Sequence, residues 1–252
     1  MLEVHVLASG SDGNCTVVQF DDTAIMVDSG LSYSRTHKLM EAEGIDESTI
    51  KALLITHEHA DHVNGAGPMA RKLDIPIYCN PATFGSFNHG KVDYHMTQTL
   101  QGFKIDEYSI LPLPTRHDAA DPNAYKISVG GKTVLIATDT GIFTFPLRKA
   151  LEEADLAIVE ANYDQKMLRE GPYPEPLKRR IESEIGHMCN VNSAKEIKDT
   201  AVNENRKIFL GHLSKHNNTP DIARETVSRI TGIKRYKLDC LEFLGDTRTL
   251  EV

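Results

Sequence analysis

His57-Glu58-His59-Ala60-Asp61-His62 puts three imidazoles and a carboxylate into six consecutive positions. The run follows Lys51-Ala52-Leu53-Leu54-Ile55, whose aliphatic content reads as a buried strand, so a sheet delivers the chain directly into a polar cluster. Residues two apart in extended chain point the same way, which lets His57 and His59 grip one ion from one side. Asp61 and His62 fall in the turn that follows, point elsewhere and suit a second ion. Neutral imidazole with carboxylate is the donor set that zinc, manganese or iron takes. The spacing differs from a helical HExxH motif, whose histidines stand at i and i+4.

Upstream, residues 3–7 alternate polar and apolar side chains, and Ser9-Gly10-Ser11-Asp12-Gly13-Asn14 is a dense turn cluster. Residues 16–20 and 23–27 are strand-like runs split by Asp21-Asp22. This predicts a β-meander ending at Asp28-Ser29-Gly30, then a helix to about Glu43, stopped by Gly44. Downstream, a helix over 65–73 and a strand over 75–79 are expected. Strands at 105–113, 124–129 and 133–137 follow, with Gly130-Gly131 as a hairpin turn. In the second half, strands at 156–159 and 207–210 alternate with helices near 145–153, 175–184, 192–202 and 219–230. No Pro/Ser-rich linker or charge block divides this loose repetition. It predicts an α/β fold, one domain over residues 1–252 arranged as a four-layer αββα sandwich.

The bulk composition narrows the function classes. With 40% hydrophobic and 25% charged residues, the chain has the makings of an ordinary globular core. A net charge of −8 argues against a surface coated in positive charge for indiscriminate nucleic-acid binding, and leaves room for a local basic groove. Cys15, Cys79, Cys189 and Cys240 form no CxxC pair, so they read as reduced, buried thiols rather than a zinc knuckle or redox motif. The first residues lack the basic start and apolar stretch of a signal peptide, and nothing approaches the roughly 20 apolar residues that span a bilayer. A cytoplasmic protein with no membrane contact is expected.

The histidine run resembles the HxHxDH signature of the metallo-β-lactamase-fold hydrolases. Further residues resemble the rest of that pattern in order: Asp28 in Met-Val-Asp-Ser-Gly, His117 in Thr-Arg-His-Asp-Ala, Asp139 in Ala-Thr-Asp-Thr-Gly, and His212 in Gly-His-Leu-Ser. The resemblance implies that His57, His59 and His117 hold a first metal, that Asp61, His62 and His212 hold a second, and that Asp139 bridges them. It implies that Asp28 fixes ligand orientation by hydrogen bonding. Two divalent ions about 3.5–4 Å apart would then activate a bridging hydroxide as nucleophile, so no serine or cysteine nucleophile is needed.

Three further segments resemble the YycJ/WalJ-like branch of this fold: Ser9-Gly10-Ser11-Asp12-Gly13-Asn14, Gly171-Pro172-Tyr173-Pro174 with Leu177-Lys178-Arg179-Arg180-Ile181 and Gly186-His187-Met188-Cys189-Asn190, and His212-Leu213-Ser214 ending in Asn217-Asn218. Asp12 replaces the usual Ser, and Met188-Cys189 departs from the usual Leu-Ser. The branch implies a 5′-to-3′ exonuclease acting on DNA, with a part in repair. Lys178, Arg179 and Arg180 with Arg35, Arg116 and Lys215 would offer a phosphate-binding rim. By comparison with the order of motifs in β-CASP nucleases, Glu160 would orient His187, which would protonate the leaving 3′-oxygen. Alternatives on the same metals are a small-molecule phosphodiesterase or an ester, thioester or lactone hydrolase. A metal-binding sensor without turnover is a third, less favoured because every ligand position is filled.

Overall fold

The structure, a computed structural model, describes residues 1–201, 205–241 and 247–252. The first sheet opens with β1 (Leu2–Ala8), β2 (Cys15–Phe20) and β3 (Thr23–Val27), paired antiparallel as the meander predicts. It continues in parallel through β4 (Ile50–Leu54), β5 (Ile77–Cys79) and β6 (Tyr94–Met96). The second sheet reverses this mixture. β7 (Phe103–Ile105), β8 (Tyr108–Pro114), β9 (Asn123–Val129) and β10 (Lys132–Ala137) are antiparallel, and β11 (Leu156–Glu160), β12 (Lys207–Gly211) and β13 (Leu238–Asp239) extend it in parallel. A last strand, β14 (Arg248–Glu251), returns to the first sheet beside β1.

Period-two patterning explains the four layers. Ile25 and Val27 on β3, Ala52 and Leu54 on β4, and Leu156 and Ile158 on β11 meet in one core between the sheets. Their chain neighbours face outward: Ala24, Met26 and Leu53 pack under α1 (Tyr33–Glu43) and α3 (Ala66–Leu73). Ala157 and Val159 pack under α5 (Phe145–Glu153), α8 (Asn190–Asp199) and α9 (Pro220–Thr231). Strands apolar on both faces must be covered on both, which produces the αββα sandwich that the sequence predicts.

Several expected elements shift. The strand expected over 105–113 is a hairpin: Asp106 takes a left-handed φ of 46° and splits it into β7 and β8. The turn expected at Asp61-His62 is one helical turn, α2 (Ala60–Val63), with His59 as its extended N-cap. The helix expected over 175–184 ends early as α7 (Glu175–Ile181), because Gly186 folds back so closely on Arg180 and Ile181 that no side chain fits there. Short helices α4 (Pro81–Phe84) and α6 (Gln165–Glu170) fall where the sequence reading placed none. The helix expected over 192–202 is α8, and Val202 lies outside the described residues. Gly130 and Gly131 both have positive φ, as the hairpin requires. No helix among the described residues is long and apolar enough to cross a membrane.

Candidate metal centre

The carboxyl ends of the central strands converge on one edge of the sandwich, where open α/β sheets usually place their ligands. Asp28 follows β3, His57 follows β4, His117 follows β8, Asp139 follows β10, Glu160 closes β11 and His212 follows β12. Asp28, Asp139 and His212 have left-handed backbones, with φ of 59°, 55° and 54°. Non-glycine residues rarely sit there, and such strain persists where the surroundings over-determine it.

The fold brings together the residues that the resemblance assigns. The ligand atoms of His57, His59 and His117 lie within 4.8 Å of one another, as do those of Asp61, His62 and His212. His59 Nδ1 is 3.1 Å from His57 Nε2 and 3.2 Å from His117 Nε2. Asp139 stands between the groups, 3.7 Å from His117 Nε2 and 3.2 Å from His62 Nε2.

Four of these imidazoles are anchored through Nδ1, which leaves Nε2 for the centre. His117 Nδ1 donates to Gly186 O at 3.0 Å and His62 Nδ1 to Asp28 Oδ2 at 2.8 Å. His57 Nδ1 lies 3.0 Å from Thr56 Oγ1, which itself donates to Asp28 Oδ2 at 2.9 Å. His212 Nδ1 lies 3.1 Å from Glu160 Oε1. Asp28 also accepts the Thr56 backbone N–H at 2.9 Å, so one buried carboxylate orients both His62 and, through Thr56, His57.

The donor set fits cations. Asp28, Asp139 and Glu160 are buried together, and burying several carboxylates requires positive charge nearby. Asp139 Oδ2 is buried facing His62 Nε2 at 3.2 Å, so the proton or cation it needs must lie at the centre itself. Burial alone would lower the His62 pKa, but Asp28 and Asp139 outweigh it and push it up to about 10. His212 is likewise raised well above its usual value, against burial, by Asp139 and by hydrogen bonds to Asp61 and Glu160. His57, by contrast, is held well below its usual value by burial and by the neighbouring His62, so it stays neutral and ligand-competent.

Beside the cluster, His187 Nδ1 lies 2.7 Å from Glu160 Oε1, and Glu160 Oε2 accepts the Thr140 backbone N–H at 3.0 Å. A polar pocket of about 170 Å³ adjoins His187, with Ser11, Tyr173, Arg180 and Ser214 in its walls. Of the basic residues expected to form a rim, Arg180 reaches this pocket and pairs with Asp118 at 2.5 Å. Lys215 pairs with Asp12, Arg116 comes within 4.0 Å of Glu184, and Lys178 is drawn away to Arg169 O. Neither Arg35 nor Arg179 lines the pocket.

The sequence reading missed two amide side chains. Asn14 Nδ2 lies 3.2 Å from Asp61 Oδ2 and 3.0 Å from His62 Nε2, and its backbone N–H donates to Asp61 O at 2.7 Å. Asn162 Nδ2 donates to His212 O at 2.9 Å. Asn14 stands in the turn cluster noted in the sequence, but only the folded chain carries that cluster across to the histidine run.

The sequence model of the metallo-beta-lactamase superfamily matches residues 8–174. The chain is 34% identical to "Exodeoxyribonuclease YycJ" of Bacillus anthracis over 239 residues, 91% of this chain and 89% of that protein. It is 34% identical to "Exodeoxyribonuclease WalJ" of Streptococcus pneumoniae over 229 residues, 88% and 85% of the two chains. Among solved structures, the metallo-beta-lactamase fold protein YhfI from Bacillus subtilis superposes over the whole of both chains with a TM-score of 0.77 at 19% identity.

Proposed function

The chain belongs to the metallo-beta-lactamase superfamily, and from that premise we propose that it is a dinuclear metal-dependent phosphodiester hydrolase that degrades DNA from 5′ to 3′. The observation that carries the reading is the Glu160–His187 pair at 2.7 Å on the edge of the histidine cluster. The His187 ring lies 5.0 Å from that of His117 and 5.3 Å from that of His212, so it adjoins ligands of both proposed ions. Burial pulls the His187 pKa down, but Glu160 outweighs it and raises it, favouring the imidazolium that can donate a proton. Cleavage of a phosphodiester needs such a proton on the departing 3′-oxygen.

In this reading His57, His59 and His117 hold one ion, Asp61, His62 and His212 the other, and Asp139 lies between them. Bound there, divalent ions would supply a water of lowered pKa and positive charge for the phosphoryl oxygens. Asp28 and Thr56 hold the rings of His57 and His62 in register, and Asn14 does the same for Asp61. Glu160 orients His187, and Arg180 offers a guanidinium to phosphate in the adjoining pocket. Zinc and manganese are the expected ions, and iron also suits these donors. The similarity to two exodeoxyribonucleases over most of each chain supports DNA as substrate, and the reading extends to a role in DNA repair. Four buried cysteines fit a reducing cytoplasmic setting.

A panel of 3′-labelled single-stranded and duplex DNA, bis(p-nitrophenyl) phosphate and a lactone tests the substrate class. Stepwise shortening of DNA from its 5′ end, abolished by Asp61→Ala, is the expected result. Rapid lactone opening with inert DNA would overturn the reading.

A further inference from the structure

Three of the seven large hydrophobic side chains exposed among the described residues, Ile142, Phe145 and Ile185, belong to segments that border the candidate centre, and Phe145 is 79% exposed. Ile142 comes three residues after Asp139 and Ile185 two before His187. The half-exposed Arg116 directly precedes His117. Backbone contacts lock these segments side by side. Gly141 N–H donates to Arg116 O at 2.9 Å, Arg116 N–H donates to Thr140 Oγ1 at 3.1 Å, and His117 Nδ1 donates to Gly186 O at 3.0 Å. Gly141 also approaches the backbone of Ser183 and Glu184 so closely that an added methyl group would collide with it.

These contacts put Arg116, Ile142 and Ile185 on one rim of segments that also carries His117, Asp139 and His187, and Thr144, next to Phe145, donates to Pro114 O at 3.1 Å. We propose that Phe145, with Ile142 and Ile185 exposed on the adjoining segments, is a stacking platform for a base of the DNA strand next to the scissile phosphodiester, and that Arg116 meets the neighbouring phosphate. The proposal rests on the nuclease reading. An exposed aromatic face and an exposed cation on adjoining segments match the alternation of base and phosphate along a single strand. A chain with net charge −8 gains little from diffuse attraction to the phosphate backbone, so stacking has to carry much of the affinity.

The test measures KM for shortening of a single-stranded oligodeoxynucleotide, and anisotropy of a fluorescein-labelled copy, with metal-loaded wild type, Phe145→Ala and Phe145→Trp. An abasic oligonucleotide of equal length is the control. Phe145→Ala should raise KM and Kd for the base-bearing strand by about 5-fold or more, Phe145→Trp should keep wild-type values, and wild type should bind the abasic strand as weakly as Phe145→Ala binds DNA. Equal KM and Kd in Phe145→Ala and wild type, with wild type still cutting DNA, would overturn the platform alone. Wild type that neither binds nor cuts DNA overturns the nuclease reading and the platform with it. A wild-type dimer in sedimentation that Phe145→Glu disperses would assign the rim to self-association instead. Ile185→Ser supplies a second variant should Phe145→Ala fail to fold, with the same expected rise in KM and Kd.

Discussion

Asp28 Oδ2 lies 2.8 Å from His62 Nδ1 and accepts a second hydrogen bond, at 2.9 Å, from Thr56 Oγ1, so a single buried carboxylate sets the rings of two proposed ligands. Asp28→Asn keeps the shape and tolerates the left-handed backbone, but removes the charge and one acceptor. Metal affinity should fall about 10- to 100-fold with the fold intact. Competition with a chelator of known affinity measures this, beside a circular dichroism spectrum. Unchanged affinity would show that Asp28 does not tune the ligands.

Metal uptake should expel protons. The Asp28 and Asp139 carboxylates push the His62 pKa up to about 10, so in the ion-free protein at pH 7 this ring is protonated. A cation must displace that proton, so apparent affinity should rise as pH increases from 6 to 8 and fall as it decreases. Calorimetric titration with zinc in two buffers of different ionisation enthalpy counts the protons released. A count of zero at pH 7 contradicts the arrangement.

Glu160 and His187 should act as one unit. Each single change, Glu160→Gln or His187→Ala, should lower kcat about 100-fold, and the double variant should lose little more. Glu160 also touches His212, so metal content is measured in parallel. Full additivity, or full turnover in His187→Ala with metal content unchanged, would remove His187 from proton transfer.

Gly30 lies against the Asp61 carbonyl with no room for a Cβ. Gly30→Ala should displace the loop that carries Asp61 and cost about 1–3 kcal/mol. Denaturant melts with and without metal check this, and the metal-induced gain in stability should shrink in the variant. A wild-type gain in Gly30→Ala would show that the loop yields.

Much of this candidate centre was legible because its proposed ligands come in short runs at strand ends. The HEHADH run and the strand-closing Asp28, Asp139 and His212 declare themselves locally, and aliphatic strands before them predict the two sheets. The supporting contacts do not declare themselves. Asn14 meets Asp61 across 47 residues, and His117 meets Gly186 O across 69. Such pairs exist only once the sandwich closes. Arg180 was legible as a cation, but its pairing with Asp118, 62 residues away, exists only in the folded chain.

The cysteines offer an independent check on packing. Burial pushes the Cys79 thiol up to about 12 and raises the Cys15 and Cys189 thiols too, so at pH 8 these thiolates are scarce. Native protein should react negligibly with a disulfide reagent, and all four cysteines should react after denaturation. Rapid reaction of the folded protein would mean that the cores under the sheets open readily.

The central claim is a two-metal centre, and metal stoichiometry tests it most directly. Mass-spectrometric analysis of protein loaded with zinc or manganese and freed of excess ion should find two equivalents per chain, reduced to about one in Asp61→Ala, in which the first histidine group stays intact. One equivalent in fully active wild type, or two retained in Asp61→Ala, would contradict it.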